Sequence, residues 1–325
     1  MKLFKILAVA LVGVILTGTA VIAQEWPNRP ITVIVPFNAG GSTDLFARNL
    51  APALSQELGQ PINVINKPGA GGQIGASYFL AQPSDGYTMM VTAAAPYLPN
   101  NILTTGAEYT LEDFAFVNAQ WIDYTIIAVP SDSPFQSLDD LIGTIKDRPG
   151  ELSTSVTFGS AGHINTLVLL DALGLDQDAI RIVTFDGGAE ARTALAGGQV
   201  DFGIDQGEGL AGFTKEVRPL AVFLEEPVEL WDAPLINDAL EPYGLTVPIL
   251  NGSVRTFVAQ AAFRDDHPEA YDRLLEAYQA VLDDQAYLES AKAAGVDTIW
   301  RGPESTTKIV EDSLQIMKKY SDLMN

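Results

Sequence analysis

The sequence predicts an α/β protein in which two doubly wound lobes face each other across a ligand cleft. Apolar runs of strand length alternate with helical patterns along most of the chain, which favours parallel sheets covered by helices. A strand, a glycine turn and the start of a helix occur together twice, around positions 40 and 160. We expect each lobe to present one of these turns to a ligand held between the lobes.

The first 23 residues have the pattern of a secretory signal peptide. Lys2 and Lys5 precede an apolar run, and Val21-Ile22-Ala23 resembles a signal-peptidase site before Gln24. We therefore expect export with cleavage after Ala23. The alternative is a short membrane anchor, because the uncharged run is long enough for one.

Composition and charge exclude several classes of function. Hydrophobic residues make up 47% of the chain and charged residues 18%, which is typical of a globular protein. The chain has no cysteine, so disulfides, thiolate catalysis and cysteine-bound zinc are excluded. The formal net charge of −22 argues against nucleic acid as a partner. An anionic ligand remains compatible with it, since surface charges are screened beyond about 8 Å.

The first lobe begins with a strand at 31–36, the turn Gly40-Gly41 and a helix that runs to Leu58, with Ser42 or Thr43 as its N-cap. The strand Ile62–Asn66 follows, then a glycine-rich loop, a helix to about residue 82 and a strand at 87–92. We expect these strands to form a parallel sheet with right-handed crossovers.

The later elements follow the same alternation. The pattern predicts, in order, a short helix and strand over 111–117, strand Thr125–Pro130, a helix from Ser137, strand 154–159, strand Arg181–Phe185, a helix to about Ala196, strands 200–204 and 220–224, extended segments 246–250 and 256–261, and helices 268–282, 286–294 and 305–323. We assign 24–125 and 250–325 to lobe 1, and 126–249 to lobe 2.

The turn at 37–44 is a candidate anion site. Free N–H groups and the dipole at a helix N-terminus favour a carboxylate or a phosphate. An ordinary strand-to-helix turn is an equally weighted alternative. Asp44 stands in the first helical turn, where its carboxylate competes with a ligand for the same dipole.

The second turn and a few charged residues supply further candidates. His163 either donates to a ligand carboxylate or caps the turn as a surface residue. Asp205 and Glu208 follow a strand and would receive a cationic or hydroxyl group, although solvated loop carboxylates are commoner. Arg255 pairs either with an anion or with one of the many acids.

Known catalytic patterns are not met. The glycine-rich loop lacks the Gly-Lys-Ser/Thr ending, and the nucleophile elbow fails because Phe158 stands where its first glycine belongs. We expect no catalytic residue, no metal site and no cofactor. A hydrolase that uses Ser160 and His163 is the enzyme alternative.

Many short motifs of the N-terminal part stand in a specific order and spacing. They are Trp26-Pro27, Val35-Pro36-Phe37, Gly40-Gly41-Ser42-Thr43-Asp44, Arg48, Gly59-Gln60-Pro61, Val64, Asn66-Lys67-Pro68-Gly69-Ala70-Gly71-Gly72, Gly75 and Asp85-Gly86-Tyr87-Thr88. In this set the chain resembles the extracytoplasmic solute receptors of tripartite tricarboxylate transporters, also called the Bug family. The likeness continues more weakly through Gly159-Ser160 and 187–201, so it covers nearly all of the mature chain.

The resemblance implies a Venus-flytrap receptor with the type II periplasmic-binding-protein fold. Backbone amides and waters of two facing loops would hold a carboxylate, and here those loops are 37–44 and 160–166. With Asp205 added from the residues, the expected ligand contacts are Phe37, Asn38, Ala39, Gly40, Gly41, Ser42, Thr43, Asp44, Ser160, Ala161, Gly162, His163, Asn165, Thr166 and Asp205. Asn38, His163, Asn165 and Glu208 depart from the family pattern and leave the solute open.

The implied function is periplasmic solute capture. The ligand would be a small organic anion, either a di- or tricarboxylate or an aromatic acid, and the partners would be the integral membrane subunits of the transporter. We expect a monomer. A receptor for an amino acid or another zwitterion is the alternative, in which Asp205 or Glu208 would meet the amine.

Overall fold

The computed structural model describes residues 26–185 and 187–320, so the predicted signal peptide lies outside the described residues. The chain forms two α/β lobes, each built around a five-stranded sheet. The elements of the first sheet and its early helices are β1 (Ile31–Val35), α1 (Ser42–Leu58), β2 (Ile62–Asn66), α2 (Gln73–Leu80), β3 (Thr88–Ala93), α3 (Ala94–Thr104) and β4 (Phe114–Ile122).

The chain then builds the second sheet and returns. The elements of lobe 2 are β5 (Thr125–Pro130), α4 (Leu138–Asp147), β6 (Ser153–Thr157), α5 (Ala161–Ala172), β7 (Arg181–Phe185), α6 (Gly188–Ala196), β8 (Phe202–Gln206), β9 (Val217–Phe223) and α7 (Ile236–Leu240). The returning elements are β10 (Val254–Gln260), α8 (Ala261–Asp266), α9 (Pro268–Asp283), α10 (Gln285–Ala294) and α11 (Gly302–Tyr320). None of the helices in the described part is both long and apolar enough to cross a membrane.

The two sheets are mixed rather than purely parallel. The first has the order β2-β1-β3-β10-β4, and β10 runs antiparallel to both β3 and β4. The second has the order β7-β6-β8-β5-β9, and β5 runs antiparallel to β8 and β9. The predicted parallel pairing is correct for β1 with β2 and β3, and for β6 with β7 and β8. No pairing direction was predicted for β10, which runs antiparallel because it enters from the other lobe in the opposite direction.

Two short segments connect the lobes and lie side by side. Asp123 and Tyr124 lead from β4 to β5, and residues 251–253 lead into β10. The N–H of Gly252 donates to the Asp123 carbonyl at 2.7 Å, and the N–H of Asp123 donates to the Ser253 carbonyl at 3.0 Å. These hydrogen bonds tie the segments into one hinge that adjoins the cleft.

Each lobe has its own apolar core. In lobe 1 the stripe of α1 that includes Phe46 and Leu50 packs with Phe257 of β10 and with α9. In lobe 2 the largest cluster joins α4 and α5 to the sheet, and Met317 and Tyr320 at the end of α11 also belong to it. Since α11 otherwise packs on α3 and β4, it spans both lobes, and the predicted lobe boundaries stay a prediction.

Several local predictions are confirmed and a few are wrong. The strands Ile62–Asn66, Thr125–Pro130 and Arg181–Phe185 have the predicted bounds, and α1 ends at Leu58. The N-cap of α1 is Gly41 and neither Ser42 nor Thr43, because the helix already begins at Ser42. Helix α3 was not predicted, since Pro96 and Pro99 interrupt its pattern. Residues 246–250 form no strand.

Candidate functional site

A cleft of about 1900 Å³ lies between the two lobes. Lobe 1 lines it with the loop after β1, and lobe 2 lines it with the turn before α5 and the end of β8. Both loops follow the carboxyl ends of parallel strands, which is where open α/β sheets bind ligands. The volume exceeds the roughly 300–1,000 Å³ of typical small-molecule sites, so a small solute and its hydration water fit together.

The loop between β1 and α1 presents unpaired backbone donors to the cleft. The N-cap Gly41 (φ −75°, ψ 166°) supplies no side-chain cap to α1. Within the described part of the chain, the N–H groups of Ser42 and Thr43 have no hydrogen-bond partner, and both residues line the cleft. Gly40 makes the turn with a φ of +82°, a conformation that glycine adopts without a steric penalty. The arrangement suits an anion.

The other predicted contacts of this segment differ in position. Phe37, Asn38, Ala39, Gly40 and Gly41 line the cleft with Ser42 and Thr43. Asp44 is not a lining residue and is 3% exposed.

Asp44 acts inside the loop as an acceptor. Its Oδ2 accepts hydrogen bonds from the Gly40 N–H and from Arg48 Nε, both at 2.9 Å. Its Oδ1 accepts one from Asn66 Nδ2 at 2.8 Å. Burial raises the pKa of Asp44, but these hydrogen bonds and the Arg48 charge lower it overall. The ionised Asp44 carboxylate therefore stabilises the loop, and we do not propose it as a ligand contact.

The turn before α5 forms the facing wall. Ser160 is the N-cap, and its Oγ accepts the N–H of His163 at 3.2 Å. A β-carbon at Gly162 would lie 1.9 Å from the Ile204 carbonyl oxygen, so only glycine lets α5 approach β8 this closely. Ser160 and Gly162 line the cleft. The contacts predicted in this turn that lie outside the lining are Ala161, His163, Asn165 and Thr166.

His163 is buried beneath this turn. Its side chain is 9% exposed, and its Nδ1 accepts the N–H of Gly159 at 3.3 Å. A ring nitrogen that accepts is unprotonated, so the neutral ring carries its proton on Nε2. Burial lowers the pKa of His163, which favours this neutral form. The bonding matches the turn-capping alternative, although the residue is not at the surface.

Asn165 and Thr166 also form hydrogen bonds within lobe 2. Asn165 Nδ2 donates to Thr125 Oγ1 at 2.8 Å, and Thr166 Oγ1 donates to the Gly162 carbonyl at 2.7 Å. Both residues are buried. Their side chains thus fix α5 against the sheet and its own first turn.

A buried arginine lies beside the hinge. Arg255 is 1% exposed, and its guanidinium carbon lies 3.9 Å from the ring centroid of Trp121. Its Nε donates to Ser42 Oγ at 3.1 Å, and its Nη2 lies 3.6 Å from Asp123 Oδ2. The latter distance makes an ion pair but is too long for a good hydrogen bond. Among the residues described, nothing accepts a hydrogen bond from Nη1.

Lobe 2 contributes a second loose ion pair. Arg192 Nη1 lies 3.6 Å from Asp205 Oδ1, which also accepts the N–H of Gln206 at 2.6 Å. The buried Asp205 Oδ2 has no partner in the described ranges. Burial raises the pKa of Asp205 to about 6, and the Arg192 charge only partly opposes it. Burial and the Asp205 charge raise the pKa of nearby Tyr97 to about 12, so its hydroxyl stays protonated.

Glu208 connects lobe 2 to lobe 1. Its Oε2 accepts the Nε1–H of Trp121 at 2.6 Å, and its backbone N–H donates to Asp123 Oδ1 at 3.4 Å. Burial and, next, the Asp123 charge raise the pKa of Glu208 to about 7. The Glu208 carboxyl therefore holds its proton to a higher pH than an ordinary glutamate does.

Sequence reasoning missed several residues of the cleft. Tyr97, Trp121, Asp123 and Arg192 all line it. A signal existed for Trp121 and Asp123, because they lie within four residues of the predicted strand that begins at Thr125, where the chain passes from one predicted lobe to the other. Tyr97 and Arg192 lie within helices, and their local pattern does not distinguish them from other helical residues.

Comparisons with known proteins agree with this geometry. A family model described as the tripartite tricarboxylate transporter family receptor matches residues 46–322. Protein BugT of Bordetella pertussis is 29% identical over 323 residues, which are 97% of this chain and 96% of that protein.

Two solved structures are also similar. The periplasmic binding protein BugD has a TM-score of 0.72 and 26% identity, with 91% of this chain and 98% of that chain covered. An R. palustris protein solved with adipate has a TM-score of 0.74 and 27% identity, with 92% and 98% covered. The family match extends over most of the chain and includes both sheets apart from β1. The chain therefore belongs to the receptor family of the tripartite tricarboxylate transporters.

Proposed function

We propose that this receptor captures a small organic carboxylate in the cleft and delivers it to the membrane subunits of a tripartite tricarboxylate transporter. The observation that carries the proposal is the convergence of two helix N-termini, those of α1 and α5, on one cleft from opposite lobes. A ligand that bridges them holds the lobes together. The adipate bound by the R. palustris relative supports the chemical class.

In the proposed complex, the N–H groups of Ser42 and Thr43 donate to one carboxylate. Arg255 Nε donates to Ser42 Oγ, and arginine has no acceptor for the hydroxyl proton. The Ser42 hydroxyl is thus free to donate to the ligand as well. Ser160 and Gly162 would approach the ligand from lobe 2.

The geometry does not favour the hydrolase alternative, and we propose binding without catalysis. Ser160 Oγ accepts a backbone N–H from His163, while the ring Nδ1 of His163 accepts the N–H of Gly159. In the described part of the chain, no hydrogen bond joins Ser160 Oγ to the His163 ring. Turnover of generic ester substrates by the purified protein would contradict the receptor function.

A ligand screen tests carboxylate binding. A ligand that binds only the folded state adds about 2.7 kcal/mol of stability at 100 times its dissociation constant. We expect at least one di- or tricarboxylate or aromatic acid to raise the melting temperature with increasing concentration. The matched controls are the methyl esters or amides of the same acids, which should produce no shift. If only the neutral controls, sugars or cations shift the melting temperature, the proposal fails.

A further inference from the structure

We propose that the solute carries a hydrogen-bond-donating group, an ammonium or a hydroxyl, besides its carboxylate, and that Asp123, Asp205 and Glu208 receive this group. The inference rests on the proposed function, because it narrows the class of carboxylate that the same cleft binds. It makes the three acidic side chains the determinants of specificity, while the loop before α1 holds the carboxylate.

The three acids converge from separate parts of the fold. Asp123 belongs to the hinge, Asp205 ends β8 and Glu208 follows it, and all three line the cleft. Arg192 and Arg255 line the cleft beside these acids, so the cluster has three acidic side chains and two arginines. The remaining charged residues of the lining are Lys292, Glu190 and Asp297, so acidic residues also outnumber basic ones in the whole lining.

Each of the three acids has an oxygen that receives no hydrogen bond from the described residues. Asp123 and Asp205 are 2% and 9% exposed, and the Oδ2 atom of each is buried without a hydrogen bond within 26–185 and 187–320. Glu208 uses Oε2 for Trp121, and no hydrogen bond reaches its Oε1 from the described residues. Arg255 Nη2 lies 3.6 Å from Asp123 Oδ2, which is too long for a good hydrogen bond, and Arg192 approaches Asp205 at Oδ1 and not at the free Oδ2. Buried polar atoms in native proteins nearly always have partners, so a missing partner is implied.

The same cluster also has one free donor. Arg255 Nη1 is buried without a partner in the described residues, although Arg255 lines the cleft. Because Arg255 Nε is bonded to Ser42 at 3.1 Å, the carboxylate loop and the acids adjoin each other through this one side chain. A short molecule that carries a carboxylate and a donor group can therefore meet both.

Plain and substituted acids differ at this cluster. A dicarboxylate without a donor brings only acceptors, which Arg255 Nη1 can meet but which leave the free oxygens of Asp123 and Asp205 without a donor. An ammonium brings three donors and a positive charge, whereas a hydroxyl brings one donor. A site built to hydrogen-bond such a group discriminates strongly against the analogue that lacks it.

Matched sets of acids test the inference by titration calorimetry. Each set has one carbon skeleton with hydrogen, hydroxyl or ammonium at the second carbon: succinate, malate and aspartate; adipate, 2-hydroxyadipate and 2-aminoadipate; phenylacetate, mandelate and phenylglycine. In the set that binds, we expect a substituted acid to bind at least about tenfold tighter than the unsubstituted one. Equal or tighter binding of the unsubstituted acid overturns the inference and leaves the receptor function intact. If no acid in these sets or in the wider screen binds, the proposed function itself fails.

Variants of the acids show whether the solute carries an ammonium or a hydroxyl and which side chain binds it. Glu208→Gln and Asp205→Asn keep the side-chain shape and remove the charge, and Glu216→Gln removes an exposed charge of lobe 2 outside the cleft lining. For an ammonium, the first two variants should weaken binding of the amino acid about tenfold or more while sparing the unsubstituted acid. For a hydroxyl, the loss should be smaller and confined to the hydroxy acid. Equal weakening of all three acids by a variant that retains its melting temperature overturns the inference.

Discussion

Glu208→Gln should stabilise the unliganded protein at pH 8 and leave its stability unchanged near pH 4. Burial and the charge of Asp123 raise the pKa of Glu208 from its ordinary value of 4.5 to about 7. Between these values the folded protein holds a proton that the unfolded chain has released. The free energy of unfolding of the wild type therefore falls as the pH rises through this window. Glutamine does not titrate, so the variant lacks this fall.

The structure sets the size of the effect. One unit of pKa difference corresponds to about 1.4 kcal/mol, so a rise from 4.5 to about 7 corresponds to roughly 3 kcal/mol. Water in the cleft screens the partly exposed carboxyl, and we expect about 1–2 kcal/mol to be measured. The amide oxygen of glutamine still accepts the Nε1–H of Trp121, which is bonded to Glu208 at 2.6 Å in the wild type.

Urea unfolding at pH values from about 4 to 8.5, without ligand, measures the difference. Glu216→Gln, which removes an exposed charge from the same lobe, controls for the change in net charge. The stability curves of the wild type and Glu208→Gln should converge at low pH and separate above pH 5. Parallel curves, or a variant that is less stable at every pH, would refute the assigned environment of Glu208.

Three further predictions concern the two turns and the leader. Gly41→Val should weaken carboxylate binding about tenfold or more. It should cost under about 1 kcal/mol of stability, because Gly41 has a φ of −75° that other residues adopt. Gly40→Val should cost about 1–2 kcal/mol of stability, because Gly40 has a φ of +82°. Calorimetry and urea unfolding compare them, and unchanged affinity in Gly41→Val removes this loop from the site. Gly162→Ala should lower the free energy of unfolding by about 1–3 kcal/mol, since its β-carbon would lie 1.9 Å from the Ile204 oxygen; an unchanged melting temperature contradicts this. Intact-mass analysis of the exported protein should find its start at or near Gln24, whereas a full-length membrane species contradicts cleavage.

Local patterns determined much of the secondary structure. The strand Arg181–Phe185 and the helix start at Ser137 follow from apolar spacing and from capping chemistry within a few residues. The first turn was also predictable, because Gly40-Gly41 before a helical pattern indicates free N–H groups. Helix α3 was not, since its two prolines suggest a break, and the helix is held there by tertiary packing against α11 and the sheet.

The charged cluster of the cleft depends on contacts between distant parts of the chain. Arg255 contacts Ser42 across 213 positions, and Glu208 contacts Trp121 across 87. Arg255 reaches Ser42 because β10 crosses back into the first sheet and runs between β3 and β4. Glu208 reaches Trp121 because the segment after β8 of lobe 2 meets the end of β4 beside the hinge. The sequence around a residue indicates its backbone conformation and its burial. The residue that it contacts depends on which strands become neighbours in the fold. The sequence alone could therefore identify Arg255 and Glu208 as candidates, but only the tertiary structure decided that they face the same cleft.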